Sequence, residues 1–210
     1  MFEILDNALQ FLTVLLCTGW AGLIAVRRKS QSYAILTCFY GSFALGSLYW
    51  LIYLLMMTYT PKIFYVSDLS WVASFLFLLT LELSIRTEEE KHFHSPLAWL
   101  SCLIVLGLTV YFCVQWGDYI ITLLWGGFLA GCAYVATNGL LYARRQNGAA
   151  HKRGYLHGAV LLVIAVEHIL WLLSPFCTGD RINPYFLCDL VLTAALALLL
   201  PAMKRAVDVA

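Results

Sequence analysis

The chain has 210 residues, of which 62% are hydrophobic and only 12% are charged, and its mean hydropathy is +0.81. A water-soluble domain of this length needs far more polar surface, so the composition excludes a soluble globule and indicates an integral membrane protein. The formal net charge is +1 and the basic residues are scattered over several segments. This distribution excludes the concentrated basic surface of a nucleic-acid-binding protein.

Seven apolar stretches are each long enough to cross the hydrocarbon core, which takes about 20 residues in a helix. In chain order, helices are predicted at 5–26, 32–57, 66–85, 96–114, 119–142, 155–174 and 184–203. Glu3 precedes the first stretch and no basic residue does, which favours a retained helix over a cleavable signal peptide. The connections are short, so residues 1–210 are predicted to form one all-α transmembrane domain.

The basic residues fall almost entirely in alternate gaps between these stretches. All but two of the thirteen Lys and Arg lie in the gaps that follow the first, third, fifth and seventh helices, and the exceptions are Lys62 and Arg181. Cytoplasmic loops collect basic residues, so the pattern predicts an N-terminus outside and a C-terminus inside. We expect a multi-pass protein of a bacterial plasma (inner) membrane.

A shift of the chain by 121 positions indicates an internal repeat. It aligns Trp50 with Trp171 and Asp68 with Asp189, at equivalent points of two helix-loop-helix units. Two parallel three-helix repeats, joined by the fourth helix, would produce this alignment. Chance similarity in an apolar chain remains the alternative explanation.

Ionisable side chains are costly inside a bilayer, so those within the predicted helices are candidates for function. Five stand out: Asp68, Glu82, Glu167, His168 and Asp189. At about 1.5 Å of rise per residue, all except Glu82 fall in the outer half of the membrane. They predict an outward-facing polar pocket made by Asp68, Glu167, His168 and Asp189, with aromatic walls from Tyr49, Trp50, Trp71 and Trp171. Acids beside aromatic rings suit a small organic cation.

A purely structural interpretation competes with this pocket. The tryptophans could form an interfacial belt, and the acids could cap helices or accept internal hydrogen bonds. His168 could pair with Asp189 or with a backbone carbonyl group. Glu82 is expected to meet Asn138 or basic residues near the inner interface. The small residues of Ser42/Gly46 and Gly127/Gly131 are expected to make contacts within the bundle.

The segment 64–79, and especially Ser67-Asp68-Leu69-Ser70-Trp71, resembles the seven-helix membrane sensor regions that precede bacterial histidine kinase or diguanylate cyclase modules. The resemblance covers this segment and the topology, and it implies sensing of a ligand or of the membrane state. The tail after the last helix is too short for an output module, so the expected effector is a separate cytoplasmic protein.

The arrangement of three, one and three helices also resembles the SWEET sugar carriers and, in plan, the microbial rhodopsins. The Pro-Gln pairs of the carriers are absent, and the seventh helix has no lysine before Lys204 to hold retinal. A retinal protein is therefore excluded. A carrier-type transporter remains the alternative to a binding or sensing protein.

An intramembrane lipid hydrolase is the third and least favoured class. Of the five histidines only His168 lies deep in a predicted helix, so a three-His metal site cannot be built. We expect no metal, no cofactor and no catalytic residues. The seven cysteines form no metal-binding pattern, although Cys177 and Cys188 could pair if the outer compartment is oxidising. The expected partners are membrane lipid, a small-molecule ligand, for which a cation is the favoured class, and the separate effector.

Overall fold

The computed structural model describes residues 2–57, 65–177 and 183–207. Its helices are α1 (Phe2–Arg28), α2 (Gln31–Met56), α3 (Tyr65–Ser84), α4 (Glu88–His92), α5 (Pro96–Trp116), α6 (Tyr119–Arg144), α7 (Ala149–Leu173) and α8 (Pro184–Val207). Within the described ranges, every helix except α4 is long and apolar enough to span a membrane. The predicted all-α class with seven membrane helices is confirmed. Lys62 and Arg181 lie outside the described residues.

The local sequence explains where several helices begin and end. The Ser95 side chain caps the start of α5, and Pro96 occupies its first turn, where a missing N–H costs nothing. Gly117 ends α5 with a φ of 74°, a left-handed conformation that favours glycine. The Asp118 carboxylate then accepts a hydrogen bond from the Ile121 amide and starts α6. The two-residue connection between α5 and α6 therefore makes them antiparallel neighbours.

The helix bounds differ from the sequence prediction mainly at the start of α7, which lies within the predicted loop 143–154. Helix α7 begins at Ala149 and so includes Lys152 and Arg153. The charge of Arg153 is accommodated because its side chain, 16% exposed, lies against Glu90. Glu90 belongs to α4, a short helix that the prediction lacked and that the Thr87 side chain caps. Helix α8 continues past Pro201 to Val207.

Six of the membrane helices form a closed ring, and α5 lies outside it. Following the packing contacts, the order is α1, α2, α3, α6, α7 and α8, with α8 returning to α1, while α5 packs chiefly on α6. Helix α2 lies between α1 and α3, just as α7 lies between α6 and α8. The two triplets meet at α3 with α6 and at α8 with α1. Two parallel repeats joined by α5 predict this pattern of contacts.

Two hydrogen bonds are also related by the shift of 121 positions. Ser67 in α3 and Cys188 in α8 are 121 positions apart. The Ser67 hydroxyl donates to the Gly46 carbonyl oxygen in α2 at 3.2 Å. The Cys188 thiol donates to the Val166 carbonyl oxygen in α7 at 3.7 Å. The contact from the third to the second helix therefore recurs, within one residue, in the second triplet.

The small residues identified in the sequence differ in what they face. A Cβ atom on Gly46 would lie 2.8 Å from Trp71 Nε1, and one on Gly131 would lie 3.1 Å from the Leu79 side chain. Both glycines therefore pack against α3, as expected for contacts within the bundle. A Cβ atom on Gly127 would meet nothing within 4 Å. The expected internal contact is therefore wrong for Gly127.

Candidate functional site

Buried polar side chains gather near the two opposite ends of the bundle. We call the end at which α3 and α6 begin the cavity end, and the end at which they terminate the basic end. The basic end carries Arg27, Arg28, Arg144, Arg145, Lys204 and Arg205 in the last turns of α1, α6 and α8 or directly after them. Since α7 runs in the opposite direction, it begins at the basic end and finishes at the cavity end.

A cavity of about 40 Å³ lies between α3, α5, α6 and α7 at the cavity end. It is lined by Asp68, Trp71, Val72, Phe112, Ile121, Thr122, Trp125, Glu167 and Trp171. Four of the eight residues predicted for the pocket therefore meet here: Asp68, Trp71, Glu167 and Trp171. Trp125 and Phe112 were not predicted, because nothing in a single sequence distinguishes an aromatic residue at a cavity from one in the apolar core.

The aromatic rings form a continuous wall around the carboxyl groups. The ring centroids of Trp125 and Trp171 are 5.3 Å apart, and those of Phe112 and Trp171 are 6.0 Å apart. The imidazole of His168 lies behind the wall, with its centroid 5.1 Å from that of Trp125. Aromatic faces carry partial negative charge, so this wall adds to the attraction that the acids exert on a cation.

A buried polar atom of the cavity lacks a hydrogen-bond partner among the described residues. Glu167 is only 8% exposed and accepts a hydrogen bond at 3.3 Å from the indole N–H of Trp171 through Oε1. Its other oxygen, Oε2, has no such partner. The indole N–H of Trp71 is also unpartnered there, but it lies against Gly46 of α2. An unpaired buried polar atom costs free energy, so the cavity offers one acceptor to a ligand or to water.

The remaining predicted pocket residues lie around this cavity or apart from it. His168 Nδ1 is 2.8 Å from the Ile164 carbonyl oxygen, so His168 pairs with a backbone carbonyl group as the structural interpretation expected, while its Nε2 has no hydrogen-bond partner among the residues that the structure describes. Trp50 packs against Trp71 with ring centroids 6.2 Å apart. Tyr49 is 39% exposed, and neither it nor Asp189 lines the cavity.

Asp189 belongs to a second polar group, where α8 packs against α1. The Gln10 side-chain amide donates to Asp189 Oδ1 at 2.8 Å, and the carboxyl groups of Asp6 and Asp189 are close enough to share a hydrogen bond. Both carboxyl groups are buried. The structure therefore places Asp189 in a different polar group from Asp68 and Glu167, and not in the one pocket that the sequence predicted for them. Asp6 was missed because its position near the start of the first helix resembles that of an interfacial acid.

A third polar group, at the basic end, is built around a histidine that the sequence analysis did not single out. His157 Nδ1 lies 2.7 Å from Glu82 Oε2, and both side chains are completely buried. His157 Nε2 lies 3.5 Å from Glu90 Oε1. Arg86 and Arg153 approach the Glu90 carboxylate at 3.7 and 3.9 Å. We call these five residues the basic-end cluster.

The basic-end cluster bears on two expectations. Of the two kinds of partner expected for Glu82, the structure shows a basic residue, His157, and not Asn138. The Asn138 side chain instead binds the Ser95 amide at 3.0 Å and the Phe93 carbonyl oxygen. His157, and not only His168, is deeply buried. Its place at the third position of the predicted sixth helix gave no sign of burial, which arises because α7 begins earlier and α4 covers it.

The cluster holds the segment between α3 and α5 against the bundle. Burial raises the pKa of Glu90 above its usual value, although His157, Arg86 and Arg153 attract the charged form. On the exposed side of α4, Lys91 lowers the pKa of Glu88 through a 2.7 Å ion pair. The segment is therefore an ordered part of the molecule with its own buried charge.

Further contacts reinforce this attachment. Tyr142 donates to the Glu89 carboxylate at 2.8 Å, and the Arg145 guanidinium lies 5.0 Å from the centre of the Phe93 ring. Both Tyr142 and Arg145 lie at the end of α6. The segment is thus fixed to α6 as well as to α7.

Fold and polar groups together define a multi-pass membrane protein with buried ionisable clusters near both ends of a seven-helix bundle. No protein-family model, curated protein or solved structure matches the chain. Across the described residues, no group of three or more His, Cys, Asp or Glu side chains could hold a metal ion. Cys177 and Cys188 are both free thiols.

Proposed function

We propose that this protein binds a small organic cation in the cavity and acts as a sensor of that ligand in the plasma membrane of a bacterium. The observation that carries the proposal is the buried Glu167 carboxylate, whose Oε2 is unpartnered inside a wall of tryptophans. A carboxylate in such a site needs a positive charge or a proton beside it. An alkylammonium group supplies the charge, an N–H donor for Glu167 and a cation for the rings.

The volume of the cavity limits the ligand. A water molecule needs at least 10–15 Å³ of such space, so about 40 Å³ accommodates roughly two or three waters or a group of similar size. This favours an ammonium headgroup with few substituents. A larger amine would enter only if α3 or α7 moved, which is the change a sensor needs.

The same two helices supply a route to the other end of the bundle. Helix α3 carries Asp68 at the cavity and Glu82 in the basic-end cluster. Helix α7 likewise carries Glu167 at the cavity and His157 in the basic-end cluster. A ligand that displaces α3 from α7 therefore alters the contacts that hold the segment between α3 and α5. With the predicted orientation this segment faces the cytoplasm, where a separate effector could bind it.

Thermal stabilisation of the purified protein in micelles tests ligand binding. A panel of methylated and primary amines should raise the melting temperature of the wild type, and Glu167→Gln should abolish the rise because the amide carries no charge. Asp118→Asn is the matched control, since Asp118 is an exposed acid at the start of α6 and asparagine also caps helices. Equal stabilisation of the wild type and Glu167→Gln would show that this cavity is not the binding site.

A carrier for the same class of ligand is the second candidate, and the pattern of ring contacts favours it. Parallel repeats with a binding site between them are a common plan of secondary transporters. A carrier predicts counterflow of a radiolabelled amine in proteoliposomes, reduced to the protein-free level by Glu167→Gln. Binding without counterflow would leave the sensor as the supported function.

A further inference from the structure

A groove separate from the amine cavity lies between the end of α6 and the start of α7. It has a volume of about 220 Å³ and is lined by Leu140, Ala143, Arg144, His151, Gly154 and Tyr155. The two helices are close here, because a Cβ atom on Gly154 would lie 3.1 Å from the Ala143 Cβ. The small residues therefore form an apolar floor, and the long polar side chains stand at its mouth.

The mouth of the groove carries positive charge without an ion-paired carboxylate among the described residues. Arg144, His151 and Lys152 are exposed, and Arg205 of α8 lies 5.0 Å from the centre of the Tyr155 ring. Within the described part of the chain, Arg144, Lys152 and Arg205 have no carboxylate within ion-pair distance. The nearby acids are engaged elsewhere, Glu88 by Lys91 and Glu90 by the basic-end cluster.

We propose that this groove is a binding site for the headgroup of an anionic phospholipid, with the phosphate at Arg144 and His151 and an acyl chain along Leu140 and Ala143. The guanidinium group offers several N–H donors to phosphate oxygens, and Tyr155 has the mixed polar and apolar character of an interfacial residue. A soluble anion would use only the mouth. The apolar floor on membrane-spanning helices is the reason for choosing a lipid.

The charge arrangement also explains why this end of the bundle differs from a general basic surface. Basic residues near a membrane surface attract anionic lipid at about 1 kcal/mol each, without regard to shape. At this groove, Arg144 of α6 and His151 of α7 line one recess, and Arg205 of α8 lies against Tyr155, which also lines it. A preference of anionic lipid for the groove over other basic residues is therefore a property of the site that can be measured.

Native mass spectrometry of the full chain tests the proposal. Phosphatidylglycerol should be retained in a saturable complex, and phosphatidylcholine with the same acyl chains should not. Arg144→Gln combined with His151→Gln should weaken phosphatidylglycerol binding at least fivefold, the equivalent of about 1 kcal/mol. Arg27→Gln is the control, because it removes one exposed cation from the end of α1, which packs against α2 and α8 and not at the groove.

The outcomes separate the alternatives. Equal loss in Arg27→Gln and in the double variant would overturn the proposal, because it would show attraction by overall charge alone. Inorganic phosphate and glycerol phosphate are then added as competitors. If either displaced the lipid completely, the choice of a lipid would be overturned. The replaced side chains are exposed, so the double variant should fold, and an unchanged melting temperature in lipid-free micelles verifies this. Amine stabilisation should persist in the double variant, so the two proposals fail independently.

Discussion

Single buried acids in this molecule differ in what lies beside them. Glu82 Oε2 contacts His157 at 2.7 Å inside the bundle, and the neighbouring Glu90 faces His157, Arg86 and Arg153. Glu82 Oε1 and Glu167 Oε2 both lack a hydrogen-bond partner among the described residues, and Glu167 lines the cavity. A close ionisable partner suits a structural lock, and an unpartnered oxygen beside a cavity suits a ligand site.

Removing one member of the buried pair should therefore destabilise the protein strongly. His157→Ala leaves the Glu82 carboxylate buried without its partner, and such a loss costs about 3–5 kcal/mol. Chemical unfolding in micelles measures it, with His92→Ala as the control, because His92 is exposed at the end of α4. The double variant Glu82→Ala/His157→Ala should lose less than the sum of the single variants. Additive losses would mean that the two side chains do not interact.

At the scale of helices, the packing of α5 on α6 depends on one of two adjacent glycines. A Cβ atom on Gly126 would overlap the hydroxyl oxygen of Thr109, whereas one on Gly127 would meet nothing within 4 Å. The GxxxG spacing drew attention to Gly127, but the closest approach falls one residue earlier. Sequence spacing identifies a small residue, and only the rotation of the helix decides whether it faces a neighbour.

Alanine substitution at these two positions gives a matched pair. Gly126→Ala should lower stability by about 1–3 kcal/mol, because the new methyl group forces α5 away from α6. Gly127→Ala should be neutral or slightly stabilising, because alanine favours a helix by up to about 1 kcal/mol. Melting temperatures of the two variants in the same micelle settle the comparison. A larger loss in Gly127→Ala would show that the helix has a different rotation.

The bounds of the membrane helices were predictable because hydrophobic length is a property of the sequence alone. The shared location of Asp68, Trp71, Glu167 and Trp171 was predictable in part, since depth in the membrane follows from position along each helix. Their grouping without Asp189 was not, because it depends on which helices are neighbours in the ring. The pairing of His157 with Glu82 also depends on contacts between helices that are far apart in the chain.

For the molecule as a whole, the charge asymmetry predicts one orientation across the membrane. The basic end should face the cytoplasm, so a fluorescent protein fused after residue 210 should fold and fluoresce, and an N-terminal fusion exported through the same translocation machinery should not. Replacing Arg27, Arg28 and Lys29 together with Gln should increase the fraction of inverted molecules, because these three residues lie in the last turn of α1 and directly after it. Protection of the C-terminal reporter from external protease in spheroplasts provides the measurement. Full cleavage in the wild type would contradict the orientation.

The presence of Glu167 and His157 on one helix has a mechanical consequence. They are ten residues apart, which is roughly 15 Å along α7. If a ligand wedged against Glu167 tilted a rigid α7 by about 5°, the far end would swing by about 1.3 Å over that length. A bond of 2.7 Å between His157 and Glu82 would not survive such a swing. A ligand large enough to tilt α7 would therefore break this contact, and the break would carry the change from the cavity to the basic end.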